Sequence, residues 1–445
     1  MSKGVVQRGL SAHAAIGLVA GAFLYLVCLT GTLLVFYEEW QRIEQPNAPE
    51  MNAISGAAIQ RAIETVVASE KGKPRTTHLY VHMPIEALPR TTITTDNQAV
   101  HVDAAGRIAG REENGWAEFL LALHYTLNIP SIAGITIVGM LGVMLMALSV
   151  TGVIAHPRIF RDAFRLRSRD SGGIAFADWH NRLGVWTLPF SIAIALTGAM
   201  IGLASVNGYG LATSFYKGDV EAVYAPIFGA EGKPDPATAR LPDIASALAQ
   251  MTRSFPGVAP SYVILHDPGT RGQQVQIVGL HRHRLIFGEN YVFDASGRYL
   301  GRAGLADGYL GQQVAASAYN LHFGNYGGLP VKIGYFLMGL AVTIVSATGV
   351  SIWLGKRVRR GLDQPRVRAL WSGVVWGFPL ALTLCLLSRL FVGNDAAFVA
   401  IFWAGSAAIV TGAAAFGARA DVGRWLRRAL GLGVAAAAAG LLSQF

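Results

Sequence analysis

Seven stretches of roughly twenty apolar residues dominate the chain, the length one α-helix needs to cross a hydrocarbon core. They fall at about 12–37, 131–155, 176–204, 330–354, 370–391, 396–416 and 424–443. The second has a lead-in from Trp116 through His124 and a break at Pro130. Lipid offers no partners to backbone amides, so such runs predict a polytopic α-helical membrane protein of about seven spans. Composition agrees: 52% of the 445 residues are hydrophobic and 14% are charged, too apolar for an ordinary soluble enzyme. The start, MSKGVVQRG, is basic like a signal peptide. The apolar run behind it is too long and ends in FYEEW, so an uncleaved signal anchor is expected.

Orientation follows from arginine and lysine in the short loops. HPRIFRDAFRLRSRD after the second run carries five arginines, and KRVRRGLDQPRVR after the fourth carries six basic residues. The loop after the sixth holds Arg419, Arg424, Arg427 and Arg428, whereas GNDA after the fifth has no basic residue. All basic loops then share one side, taken as cytoplasmic, with the N-terminus. The long segments at about 40–115 and 205–320 fall on the other side, the periplasm if the membrane is a bacterial inner membrane. Net charge of +10 reflects these loops, and no nucleic-acid partner is implied. Cys28 and Cys385 both lie in apolar runs, so no disulfide framework is expected, and no C-x-x-C-H attaches haem covalently.

The two external segments read alike. AAIQRAIETVVASEKG precedes the strand-like THLYVHMP, RTTITT and AVHVDAAGRIAG; DIASALAQMTRSFPG precedes PSYVILH, QQVQIVGL and YVFDASGRYLG. Each predicts an α+β module of a helix and antiparallel strands, with a closing hairpin at Asp103–Arg107 or Asp294–Arg298. The front of the chain thus reads as a parallel duplication. Residues 1–155 form a first repeat and 176–358 a second, joined by the basic loop 156–175; residues 359–445 add three spans. Parallel repeats are expected to be related by an axis along the membrane normal, which places equivalent residues at equal depth.

The histidines fall into that symmetry. HAAIGLVAGAFLYLVCLTG (13–31) and HNRLGVWTLPFSIAIALTG (180–198) are equivalent, so His13 and His180 form a cytoplasmic-side pair. His124 and His322 precede the second and fourth spans at an offset of 198, close to the 197 between Thr151-Gly152 and Thr348-Gly349. They form a periplasmic-side pair. Two histidine pairs at opposite faces suit two six-coordinate haems, each clamped by two imidazoles. Gly17 and Gly184 lie one turn from their histidines, where a bulky side chain would meet a macrocycle. Gly31 and Gly198 lie five turns on, roughly 27 Å away, and could leave room for the second haem. Glycines in membrane helices also serve simple close packing. His156 has no repeat partner, since Trp353 takes its place; it could replace His13 or His180, or be an interfacial residue or outer contact. His281 and His283 are expected to face solvent, and His78, His82 and His101 carry no ligand expectation. Arg8 and Arg182 lie near the inner pair, where their charge would suit haem propionates.

H-x3-G…L-T-G in the first and third spans, L-H-x-x-L or L-H-F-G before the second and fourth, and V-D-A-x-G-R-type hairpins together resemble the PepSY-associated transmembrane family over about residues 5–358. Members include di-haem inner-membrane reductases of bacterial iron uptake that reduce ferric siderophores at the periplasmic face. The resemblance implies b-type haem on His13, His180, His124 and His322. It implies electron transfer from a quinol or cytoplasmic donor to a periplasmic acceptor such as Fe(III) in a siderophore. Fe(II) suits hard siderophore oxygens poorly, so reduction releases the metal. No G-x-G-x-x-G in a βαβ context and no Walker loop are visible, so the donor is a separate molecule. Two other readings compete: a haem-free, membrane-anchored PepSY regulator of a periplasmic protease, which has no use for paired intramembrane histidines, and a permease, disfavoured by spans lacking acidic residues at mid-depth.

Overall fold

The computed structural model describes residues 3–156, 158, 173–229, 232, 234–281, 284–417 and 421–443. Most of the basic loop at 156–175, and His283, lie outside the described residues. In chain order the helices are α1 (Lys3–Leu34), α2 (Tyr37–Glu44), α3 (Gly56–Ser69), α4 (Gly115–Thr126), α5 (Ser131–Ala155), α6 (Gly173–Trp186), α7 (Leu188–Gly202) and α8 (Ala204–Phe215). They continue as α9 (Glu221–Phe228), α10 (Ile244–Ser254), α11 (Leu310–Phe323), α12 (Gly328–Arg359), α13 (Pro365–Phe391), α14 (Phe398–Phe416) and α15 (Val422–Leu442). The strands are β1 (His78–His82), β2 (Thr91–Thr94), β3 (Ala99–Val102), β4 (Ile108–Arg111), β5 (Val258–His266), β6 (Gln274–His281), β7 (Glu289–Phe293) and β8 (Tyr299–Arg302). Two units result, one of residues 1–40, 114–203 and 329–445, the other of 41–113 and 204–328.

The first unit is the helix bundle. Among the described residues six helices, α1, α5, α12, α13, α14 and α15, are long and apolar enough to span a bilayer. The third expected span is not one straight helix: α6 and α7 meet at Thr187 with a 67° bend. Pro189 explains the break, since it lacks the N–H that a continuous helix would donate and its ring clashes with the preceding turn. In the first turn of α7 the same residue is tolerated. The break before α5 is of another kind, with Leu127 and Asn128 in left-handed conformation ahead of Pro130.

Small residues let the helices approach. A Cβ on Gly202 of α7 would lie 2.6 Å from the Cα of Gly139 on α5. Thr32 of α1 meets Thr343 of α12 at 3.3 Å, and Gly21 faces Val350. Gly9 faces Ile154. α1 therefore runs antiparallel to both α5 and α12, and the helix ends that lead into the basic loops sit with the N-terminal end of α1. Lys332, 7% exposed, donates at 2.9 Å to both Glu38 and Glu39, which meets the demand of a buried cation for paired anions. α13 and α14 pack Trp371, Phe378, Leu382, Phe398 and Phe402 against Tyr25 and Leu26 of α1 and Trp116, Phe119 and Leu123 of α4.

The second unit is one eight-stranded antiparallel sheet, in the order β4-β3-β2-β1-β5-β6-β7-β8. The two segments expected as separate modules share it, joined where β1 pairs β5 with Tyr80 opposite Ile264. Alternate residues Leu79, Val81, Val263, Leu265, Val275 and Ile277 point into one core with Ile59 and Ile63 of α3 and Ile244 and Met251 of α10. Ser55 and Asp243 cap those helices through their side chains. Both hairpins are built alike. Asp103 accepts from Arg107 at 2.8 Å and Asp294 from Arg298 at 3.0 Å, and Gly106 and Gly297 supply the positive φ that each turn needs.

Candidate metal-binding histidines

The bundle brings His13 and His180 together. Their ring centres are 6.3 Å apart and the ring planes are 82° from parallel. Each ring rests in the same kind of cradle on a neighbouring helix. His13 Nδ1 donates to the Leu148 carbonyl at 3.1 Å and lies 3.3 Å from Thr151 Oγ1 on α5. His180 Nδ1 lies 3.0 Å from Thr348 Oγ1 on α12, and the ring also has a hydrogen bond to the Val345 backbone. The next residue is glycine in both cases, and a Cβ on Gly152 or Gly349 would lie 3.4 Å from the Cε1 of the ring.

His124 on α4 has a third such cradle. Its Nδ1 donates to the Val27 carbonyl at 3.0 Å and lies 3.2 Å from Thr30 Oγ1 on α1. A Cβ on Gly31 would lie 2.7 Å from its Cε1, well inside contact distance. The space left by Gly31 therefore receives the imidazole itself. Gly198 sits half-buried on α7 behind Thr197, whose hydroxyl bonds the Ala193 carbonyl at 2.7 Å. His322, half-buried on α11, belongs to the second unit and His124 to the first.

The inner pair has the spacing of two ligands on one metal. A ligating imidazole nitrogen stands about 2.0 Å from its metal, so two in-line imidazoles have ring centres about 6 Å apart. No group of three or more His, Cys, Asp or Glu that could hold a metal ion occurs among the described residues. Two imidazoles leave a tetrahedral zinc site half made, whereas a haem brings the four remaining donors on its own ring. The glycines one turn from the pair are uncrowded. A Cβ on Gly184 would meet nothing within 4 Å, and one on Gly17 only Leu148 Cδ2 at 3.9 Å. Arg182, two residues from His180, is 6% exposed. Arg8 is exposed.

The other histidines do different work. His156 is exposed, with its Nε2 3.4 Å from Asn181 Nδ2. His281 is half-buried beside the Tyr291 hydroxyl at 3.4 Å, not solvent-facing as expected. His78 stacks on Tyr80 and meets His266 edge-on, and His82 meets Tyr262. His101 is buried with both nitrogens engaged, Nδ1 3.1 Å from Thr92 Oγ1 and Nε2 2.9 Å from Gln45 Oε1. Desolvation pulls His82 and His101 down to about 4.

A bundle of apolar helices with paired histidines, interrupted in sequence by the segments of an antiparallel sheet, defines a multi-pass membrane protein with a β unit. Residues 10–356 match the PepSY-associated TM region, and the chain belongs to that family. It is 30% identical over 297 residues to an uncharacterized protein of Pseudomonas aeruginosa, an alignment covering 61% of this chain and 71% of that one. The family match ends within α12, so α13, α14 and α15 lie beyond it.

Proposed function

We propose that this protein is a di-haem b electron-transfer protein of a bacterial inner membrane. It passes electrons from a quinol or cytoplasmic reductase to a periplasmic acceptor, Fe(III) in a siderophore, for iron uptake. The observation that carries the reading is the His13–His180 pair, 6.3 Å between ring centres with each ring cradled on a different helix. His13 and His180 would hold a haem there, which would supply a one-electron centre. The protein's part is to hold the imidazoles at fixed spacing, to leave the Gly17 and Gly184 faces open, and to keep water out with the apolar spans around them. His124 and His322 are proposed as ligands of the second haem on the ground of the sequence repeat. Arg182 is proposed to neutralise propionates of the first.

The test is spectroscopic. Protein purified in detergent is expected to carry two low-spin b haems per chain by pyridine haemochrome, and a ferric siderophore added to the dithionite-reduced protein, freed of excess reductant, is expected to reoxidise it. His13→Ala or His180→Ala is expected to remove one haem and leave the other reducible. Protein free of haem despite ample supply would overturn the reading and favour the protease-regulator alternative.

A further inference from the structure

We infer that the Thr-Gly pairs Thr30-Gly31, Thr151-Gly152 and Thr348-Gly349 are positioning elements that lock His124, His13 and His180 as the Nδ1–H tautomer and leave each Nε2 as the ligand atom. The inference rests on the proposed haem-binding role and goes on to say which atom binds and what sets its basicity.

Proton counting leads there. A neutral imidazole has one N–H and one bare nitrogen, and the partners decide which is which. Each threonine hydroxyl has a single hydrogen, and its own helix takes it: Thr151 donates to Ala147 O at 2.6 Å, Thr348 to Ile344 O at 2.8 Å and Thr30 to Leu26 O at 2.9 Å. Toward the imidazole the hydroxyl can only accept. For His13 and His124 the second partner of Nδ1 is the carbonyl three residues before the threonine, Leu148 or Val27, and a carbonyl also only accepts. Nδ1 therefore carries the hydrogen in all three rings. The glycine that follows lies against the ring in each case: a Cβ at residue 31 would press on it, and one at 152 or 349 would touch it. His101 shows the contrast: its Nε2 donates to Gln45 Oε1 at 2.9 Å, and the unprotonated nitrogen is Nδ1, 3.1 Å from Thr92 Oγ1.

An imidazole that donates from Nδ1 is a more basic ligand at Nε2, which favours the more highly charged state of the metal. Loss of the threonine acceptor should raise the midpoint potential. The experiment compares full-length wild type with Thr151→Val and Thr348→Val, which keep the shape, and Thr151→Ser and Thr348→Ser, which keep the acceptor. The valine variants are expected to retain two haems, shift one potential upward and alter one low-spin EPR signal, with the serine variants near wild type. Unchanged potentials and EPR in valine variants of a two-haem protein would overturn the inference and leave the haem reading standing. A haem-independent arm uses 15N-histidine NMR of full-length protein prepared without haem, with signals assigned by His13→Asn and His180→Asn. Shifts of the Nδ1–H form support the inference, and Nε2–H shifts refute it even if the wild type carries no haem.

Discussion

His101 is buried at 4% exposure among neutral partners, and the loss of water holds its pKa at about 4, with Arg90 pushing the same way. The unfolded chain, near the ordinary 6.5, takes up a proton first as pH falls, so the neutral folded form is stabilised above about 6.5 and loses that advantage between about 6.5 and about 4. The melting temperature of the full chain should therefore fall on acidification from about pH 7 to about pH 5, and His101→Gln should flatten part of that slope. At this scale the sequence was only half legible. Thr-Gly stands in each of the four front spans, at 30, 151, 197 and 348, but along the chain it reads as a register mark or a gap for a bulky group. That Gly31 makes room for an imidazole from α4 depends on a neighbour 93 residues away, as 124 minus 31 shows, and no local pattern encodes the approach.

Single helices owe their positions to partners that are distant in sequence. α4 is too short to span a bilayer and is pinned by α13 and α14: the Asn394 side chain accepts from the Gly115 amide at 2.7 Å, and Phe119 stacks on Phe398. This gives the C-terminal helices a structural task, namely holding the helix that carries His124. Phe402 is fully buried in that contact, so Phe402→Ala should cost about 3–5 kcal/mol. It should lower the melting temperature and the occupancy of the haem assigned to His124 before that of the His13–His180 haem; Leu432→Ala, at a site 75% exposed on α15, should change neither. β1 and β5 were legible because their buried residues alternate, whereas β4, exposed throughout, was legible only through the hairpin turn that precedes it. The bend at Thr187 was hidden in an unbroken apolar run, although Pro189 marked it.

For the whole molecule, the antiparallel packing of α1 against α5 and α12 groups the helix ends that lead into basic loops, the arrangement expected of a positive-inside bundle. The proposed orientation predicts that Ala105→Cys and Ser296→Cys, each at an exposed hairpin tip, react with a membrane-impermeant maleimide in intact spheroplasts, while Gln364→Cys reacts only after lysis. Labelling of the two tips from opposite sides would sink the topology. The sharing of one sheet by both long segments could not be read from the sequence, because strand pairing is settled by backbone edges that every strand offers alike. That shared sheet also imposes an order in time. β1 ends at His82 and its partner β5 begins at Val258, so the ribosome must make α5 and the bent α6–α7 pair between them. At about 5–20 residues per second the edge of β1 stays uncovered for on the order of ten seconds or more. A nascent chain stalled or cleaved in that interval would carry a bare strand edge open to the wrong partner.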